Sequence, residues 1–264
     1  MIPPILLVGL GKMGGAMLAG WREQGLRHAV AVDPAQPASP GPEVSVVAGA
    51  ADVPAGFEPA AVVLAVKPQH ADAALPLFAR YAGSAVFLSI MAGRTVASLR
   101  RVLGGRASIV RAMPNTPAAI RQGITVACAG AGVGDVQRAL CDTLLSAIGR
   151  VAWVDDEALL DPVTAVSGGG PAYVFLLAEL LERAAVEQGI PPDLARLLAR
   201  QTIAGSGALL AASREDAAAL RTAVTSPKGT TERALAVLMA DDAWPALVSR
   251  AIAAATARSR ELAG

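Results

Sequence analysis

Residues 5–14 read ILLVGLGKMG: four apolar residues followed by Gly9-Leu10-Gly11-Lys12-Met13-Gly14. A short apolar run bounded by glycine is a buried strand, and Gly14–Gln24 continues with helical spacing. A G-x-G-x-x-G spacing is weak by itself, but at a joint between strand and helix it marks a dinucleotide loop. Gly9 permits the tight turn, Gly11 lets the backbone approach a pyrophosphate, and Gly14 lets helix and strand pack closely. Free N–H groups at the helix start then hold the anion. Gly9, Leu10, Gly11, Lys12, Met13 and Gly14 are therefore the first candidate cofactor-binding residues.

Asp33 lies 19 residues after Gly14, at the end of the next β-branched run. An acid at that position accepts from the adenosine ribose hydroxyls and repels a 2′-phosphate. Taken alone this favours NADH over NADPH. The Pro-rich loop behind it, Pro34–Pro42, offers Gln36 and Ser39 as phosphate contacts, so both cofactors stay open.

Working outward, β-branched runs recur at Val30–Asp33, Val44–Val47, Ala61–Val66, Ala85–Ile90, Ser108–Arg111, Ile124–Ala127 and Val151–Val154. Helical segments at Ala71–Tyr81, Val96–Leu103 and Val136–Ile148 fall between several of them. Short strands buried on both faces and separated by helices predict a doubly wound, Rossmann-type α/β domain with a parallel sheet, over residues 1–154. After about Asp155 the strand signals stop. Helices are expected at Pro171–Gln188, Pro192–Leu210, Arg214–Ala223, Thr231–Met239 and Ala243–Leu262, giving an all-α domain over 155–264. Residues 174–181 (VFLLAELL) are apolar almost all round, and such a helix must be covered on every side. A half of about 110 residues can hardly do that alone, which points to dimerisation through this domain.

The 264 residues are 53% hydrophobic and 17% charged, with 23 basic and 22 acidic side chains. That balance gives no electrostatic footprint for nucleic acid or an anionic membrane. Cys128 and Cys141 read as reduced core thiols, and two histidines cannot make a His-rich metal site, so no metal is expected. The segment 174–181 is too short to span a bilayer, and the expected location is cytoplasmic.

There are only three lysines, Lys12, Lys67 and Lys228, and each sits in a Gly- or Pro-rich loop. Lys67 follows the fourth strand, at the carboxyl end where ligands bind in open α/β sheets.

Around these residues the sequence resembles the pyrroline-5-carboxylate reductase family over nearly the whole chain. The resemblance is carried by VGLGKMGGAM (8–17), LAVKPQ (64–69), SIMAGRT (89–95), RAMPNTPA (111–118), VTAVSGGGPAYV (163–174) and VTSPKGTT (224–231). It implies an amino-terminal dinucleotide domain and interleaved helical domains in a homodimer, which in many members assembles into rings of dimers. The implied activity is the last step of proline synthesis, hydride transfer from NADPH or NADH to 1-pyrroline-5-carboxylate. Ala65, Val66, Lys67 and Pro68 would pass beside ribose and nicotinamide, and Ala92, Gly93 and Asn115 would complete the nicotinamide pocket. Gly229, Thr230 and Thr231 would receive the substrate carboxylate on backbone N–H groups, facing the partner's cofactor, with Lys228 adding charge. Many relatives have Ser at the position of Gly169 and Gly at that of Lys228.

Thr231 and Lys67 are the candidate catalytic residues. An unperturbed threonine is a poor acid, so Thr231 would hydrogen-bond the ring nitrogen or relay a proton from water; its bland alternative is a helix cap. His70 reads as a surface residue and Tyr173 as packing. A related cyclic imine as substrate, a 6-phosphogluconate-type dehydrogenase and a non-catalytic dinucleotide sensor are the rival readings. The second needs a lysine on the first long helix of the helical half, and 171–210 has none.

Overall fold

The structure is a computed structural model that describes residues 1–35 and 38–263; Gln36 lies outside the described residues. Eight strands form one sheet: β1 (Ile5–Val8), β2 (Ala29–Val32), β3 (Val44–Val47), β4 (Ala61–Leu64), β5 (Val86–Ser89), β6 (Ser108–Met113), β7 (Gly123–Ala129) and β8 (Gly149–Val154). Their order is β3-β2-β1-β4-β5-β6-β7-β8. β1 to β6 are parallel throughout, and every residue of β1, β2, β4 and β5 is buried.

Alternation along β1 feeds a separate core on each face. Ile5 and Leu7 join Met17, Leu18 and Trp21 on one side, and Leu6 and Val8 join Phe78, Phe87 and Leu99 on the other. The helices covering the sheet include α1 (Lys12–Glu23), the single turn α2 (Ala71–Ala74), α3 (Val96–Leu103) and α4 (Asp135–Ser146). The helix expected over 71–81 continues beyond α2 as a 3-10 segment, Leu75–Tyr81. Pro76 near its start supplies no N–H for an α-helical ladder.

The sheet departs from the all-parallel expectation at one place. β7 is antiparallel to β6, and β8 is parallel to β7. The link 114–122 holds only a 3-10 turn, Thr116–Ile120. A parallel return needs a crossover of a dozen or more residues, so this shorter link reverses the chain.

Arg111, in β6, is 2% exposed and pairs through Nη1 with Glu157 Oε1 at 3.1 Å. Glu157 Oε1 also accepts from the Val96 N–H at 2.8 Å. Arg111 Nε and Nη2 have no partner among the described residues, so this one carboxylate compensates a buried cation.

The remaining helices are α5 (Leu160–Val163), α6 (Gly170–Glu187), α7 (Pro192–Ala212), α8 (Ala217–Ala223), α9 (Thr230–Leu238) and α10 (Trp244–Ala263). A π-helical turn, Thr164–Gly168, joins α5 to the start of α6. From Glu157 to Glu187 the chain is helical almost throughout, and by length and composition alone this run could cross a membrane. It is longer than the apolar stretch 174–181.

The chain packs as two compact units, 1–168 with 255–264 and 169–254. The end of α10 thus belongs with the sheet, where Ser259 Oγ donates to the buried Asp161 carboxylate at 2.6 Å. In the second unit α6 packs on α7, yet Phe175 is 67% exposed and Leu176 52%.

Candidate active site

β1, β2, β4, β5 and β6 all point their carboxyl ends at the same edge of the sheet. The chain switches sides between β1 and β4, the place where open α/β sheets bind ligands. A cleft of about 470 Å³ opens there, lined by residues that include Gly9, Gly11, Asp33, Ala65, Val66 and Lys67. Gly9 has φ 99°, and a Cβ there would meet the Ala65 carbonyl carbon at 2.8 Å. A Cβ at Gly14 would lie 2.2 Å from the Gly9 carbonyl oxygen, so these two glycines bring β1, β4 and α1 together. Gly11 is different: nothing lies within 4 Å of its added Cβ, and it faces open space as the N-cap of α1. No acid sits in the first turn of α1, and first-turn N–H groups have no intrahelical acceptor. Open space at Gly11, free N–H groups from Gly11 to Met13 and an acid at the ribose end fit a dinucleotide.

Asp33 does more than the sequence suggests. Its Oδ2 accepts from the Leu10 N–H at 2.8 Å and its Oδ1 from the Ala35 N–H at 2.9 Å. The carboxylate therefore latches the glycine loop to the end of β2, and the Leu10 N–H is engaged within the protein. Lys12 and Lys67 are exposed, with Lys67 the N-cap of the 3-10 turn Pro68–His70. His70 is exposed, as expected, and lines the cleft.

Ala92, Gly93 and Asn115 follow β5 and β6 on this edge but do not line the cleft, among the described residues. Gly93 has φ 69°, and a Cβ there would meet the Leu262 carbonyl oxygen at 2.9 Å, so it makes room for the end of α10. Asn115 is buried, and its Oδ1 accepts from the Ile124 N–H at 3.0 Å, pinning the turn after β6 to β7.

The turn 225–229 lies in the second unit. Gly229, not Thr231, is the N-cap of α9, so Thr231 occupies the second helical position and is half-buried. The Gly229 N–H donates to the Ser226 carbonyl at 3.0 Å, which leaves the N–H groups of Thr230 and Thr231 as free helix-start donors. Lys228 has φ 59°, the left-handed region that Gly fills without strain, which gives the Gly of many relatives a backbone reason. Its side chain is exposed, and its N–H donates to Glu232 Oε2 at 2.7 Å. Glu232 escaped the sequence reading. Its signal was an acid at the third helical position, where carboxylates reach back to N–H groups before a helix.

Residues 157–262 match the family model described as pyrroline-5-carboxylate reductase dimerisation, and residues 4–93 match that of NADP oxidoreductase coenzyme F420-dependent. A pyrroline-5-carboxylate reductase of Pseudomonas aeruginosa is 40% identical, over 99% of this chain and 97% of that protein. The chain belongs to the pyrroline-5-carboxylate reductase family. The pyrroline-5-carboxylate reductase structure from Coxiella burnetii superposes with a TM-score of 0.91 at 30% identity, covering 100% of both chains. The Plasmodium falciparum pyrroline carboxylate reductase structure, which has NADP bound, gives 0.84 at 26%, covering 99% of this chain and 98% of that one. The fold is accordingly that of a reductase with a Rossmann-type dinucleotide domain and a helical dimerisation domain.

Proposed function

We propose that this chain reduces 1-pyrroline-5-carboxylate to L-proline with NADPH or NADH, as the last step of proline biosynthesis. The observation that carries the reading is the match to pyrroline-5-carboxylate reductases along essentially the whole of both chains, spanning the glycine cleft and the turn before α9. A related cyclic imine and a non-catalytic sensor have no observation in their favour.

The reduced nicotinamide supplies the hydride that reaches C5 of the substrate ring. The protein's own work is alignment, which could supply about 7–11 kcal/mol of the barrier. The N–H groups of Gly11, Lys12 and Met13 hold the pyrophosphate while Asp33 meets the ribose. Ala65 to Pro68 flank the ribose and nicotinamide, and Lys67 places a cation there. Ala92, Gly93 and Asn115 shape the nicotinamide end from behind. At the start of α9, the N–H groups of Thr230 and Thr231 receive the substrate carboxylate, and Lys228 attracts it. The Thr231 hydroxyl, which no described residue engages, hydrogen-bonds the ring nitrogen or relays a proton to it.

Residues 1–154 carry the dinucleotide function and 155–264 the substrate and dimer functions. The dimer forms through the helical domain, and rings of dimers are the larger assembly. The apolar run 157–187 carries Glu179, Glu182, Arg183 and Glu187, charges that are costly in a bilayer core and suit a protein partner. The protein is therefore read as cytoplasmic, with neither membrane nor nucleic acid as partner.

The test follows absorbance at the nicotinamide band with purified protein and 1-pyrroline-5-carboxylate, with NADH and NADPH in parallel. Turnover supports the reading; folded protein that binds dinucleotide without turnover defeats it. Thr231→Ala is expected to lower kcat by roughly 10²-fold. An unchanged kcat would remove Thr231 from the protonation step.

A further inference from the structure

We propose that the adenosine end of this cleft selects the dinucleotide without a 2′-phosphate, and that Asp33 is the residue that makes the choice. The inference rests on reading the cleft as the cofactor site.

Both Asp33 oxygens are held by backbone N–H groups, from Leu10 in the glycine loop and Ala35 in the turn after β2. A carboxylate fixed at two points cannot swing away from an incoming anion without releasing the glycine loop. Each oxygen keeps a lone pair, so the group can still accept from a ribose hydroxyl. Its charge, however, would face a 2′-phosphate directly.

Among the described residues that line the cleft, no lysine or arginine stands on the β2 and β3 side to meet that phosphate. The chain has no lysine or arginine between Arg27 and Lys67, a span that includes all of β2, β3 and β4. On the side of β3 the cleft is lined by Ala48, Gly49 and Ala50, which have no polar side chain. The Gly49 N–H on that wall is already given to Asp52 Oδ2 at 3.0 Å. Arg22 is tied to Glu43, and Arg94 to Asp72 at 2.6 Å and to the Pro68 carbonyl. Lys67 and His70 line the cleft, but they follow β4, and β1 separates β4 from β2. Two strand spacings amount to about 10 Å, which puts that cation at the pyrophosphate and nicotinamide side.

Equilibrium binding tests this without catalysis. Isothermal titration of the full chain with ADP-ribose and with 2′-phospho-ADP-ribose is expected to show the former tighter by about tenfold or more. Raising salt from about 0.05 to 0.5 M should narrow that ratio, because the penalty is charge repulsion. Asp33→Ser should weaken ADP-ribose and bring the two ligands within about threefold. Pro34→Arg, which leaves the Asp33 latch in place, should tighten only the 2′-phosphorylated ligand. Equal or tighter binding of 2′-phospho-ADP-ribose by the unaltered chain overturns the proposal, as does an unchanged ratio in Asp33→Ser. Discrimination between these ligands by a chain that fails to reduce 1-pyrroline-5-carboxylate would defeat the assigned reaction and leave this inference standing.

Discussion

The two compact units bury their apolar residues in opposite ways. In 1–168, β1 alone contributes four buried residues to two cores, and Trp21, Phe78 and Phe87 are almost fully enclosed. In 169–254 only Pro171, Ala195 and Ala199 are buried among the described residues, while Tyr173, Phe175, Leu197, Leu247 and Val248 stay exposed. Apolar composition is therefore a poor guide to where a core lies. The first unit closes over its own sheet, whereas the second leaves apolar helix faces exposed, in keeping with the dimerisation model matched at 157–262.

The contrast is most directly broken at Phe175. Phe175→Glu should raise the dimer dissociation constant by more than about 100-fold in sedimentation, as loss of a central interface anchor does. ADP-ribose binding should survive. A stable dimer in this variant would mean that α6 is not the shared face.

A substitution in the first unit should have the complementary effect. Trp21 is fully buried and its Nε1 donates to the Leu144 carbonyl at 2.8 Å. Trp21→Ala should cost about 3–5 kcal/mol in urea unfolding of the sheet unit. Both cysteines lie in that unit, and burial pushes the Cys141 thiol up to about 12. Cys141 should therefore resist thiol reagents at pH 8 until the sheet unit opens, which separates its unfolding from that of the helices.

Glu157→Gln should cost about 3 kcal/mol by leaving Arg111 without its carboxylate. The pair Arg111→Met with Glu157→Gln should recover much of that loss. If the double variant is no better than the single, the carboxylate matters through the Val96 N–H instead. The smallest change is expected in the second unit. Lys228→Gly relieves a left-handed backbone and should raise stability by about 1 kcal/mol in thermal melts of the dimer.

Strand positions were legible because each run of buried residues sits between turn residues, and all eight expected runs became strands within a few residues. Direction was less legible: periodicity is the same for a strand running either way, and only the shortness of 114–122 hinted that β7 reverses. Local pattern gave α10 its length but not its allegiance, since nothing in 243–262 says that its last turns pack against Gly93 and Asp161. At the site, the glycine spacing placed the loop, while the bond from Leu10 to Asp33 links groups 23 residues apart and left no local trace. Arg111 looked like part of a motif without a task; its partner Glu157 lies 46 residues on.

The bond between Asp161 and Ser259 joins residues 98 positions apart, across the whole intervening helical unit. A ribosome making this chain therefore releases the sheet, its helices and the glycine loop long before it releases the helix end that shields Asp161 and fills the space beside Gly93. Until that helix end emerges, the nascent first unit must hold an unshielded acid and an open notch beside Gly93.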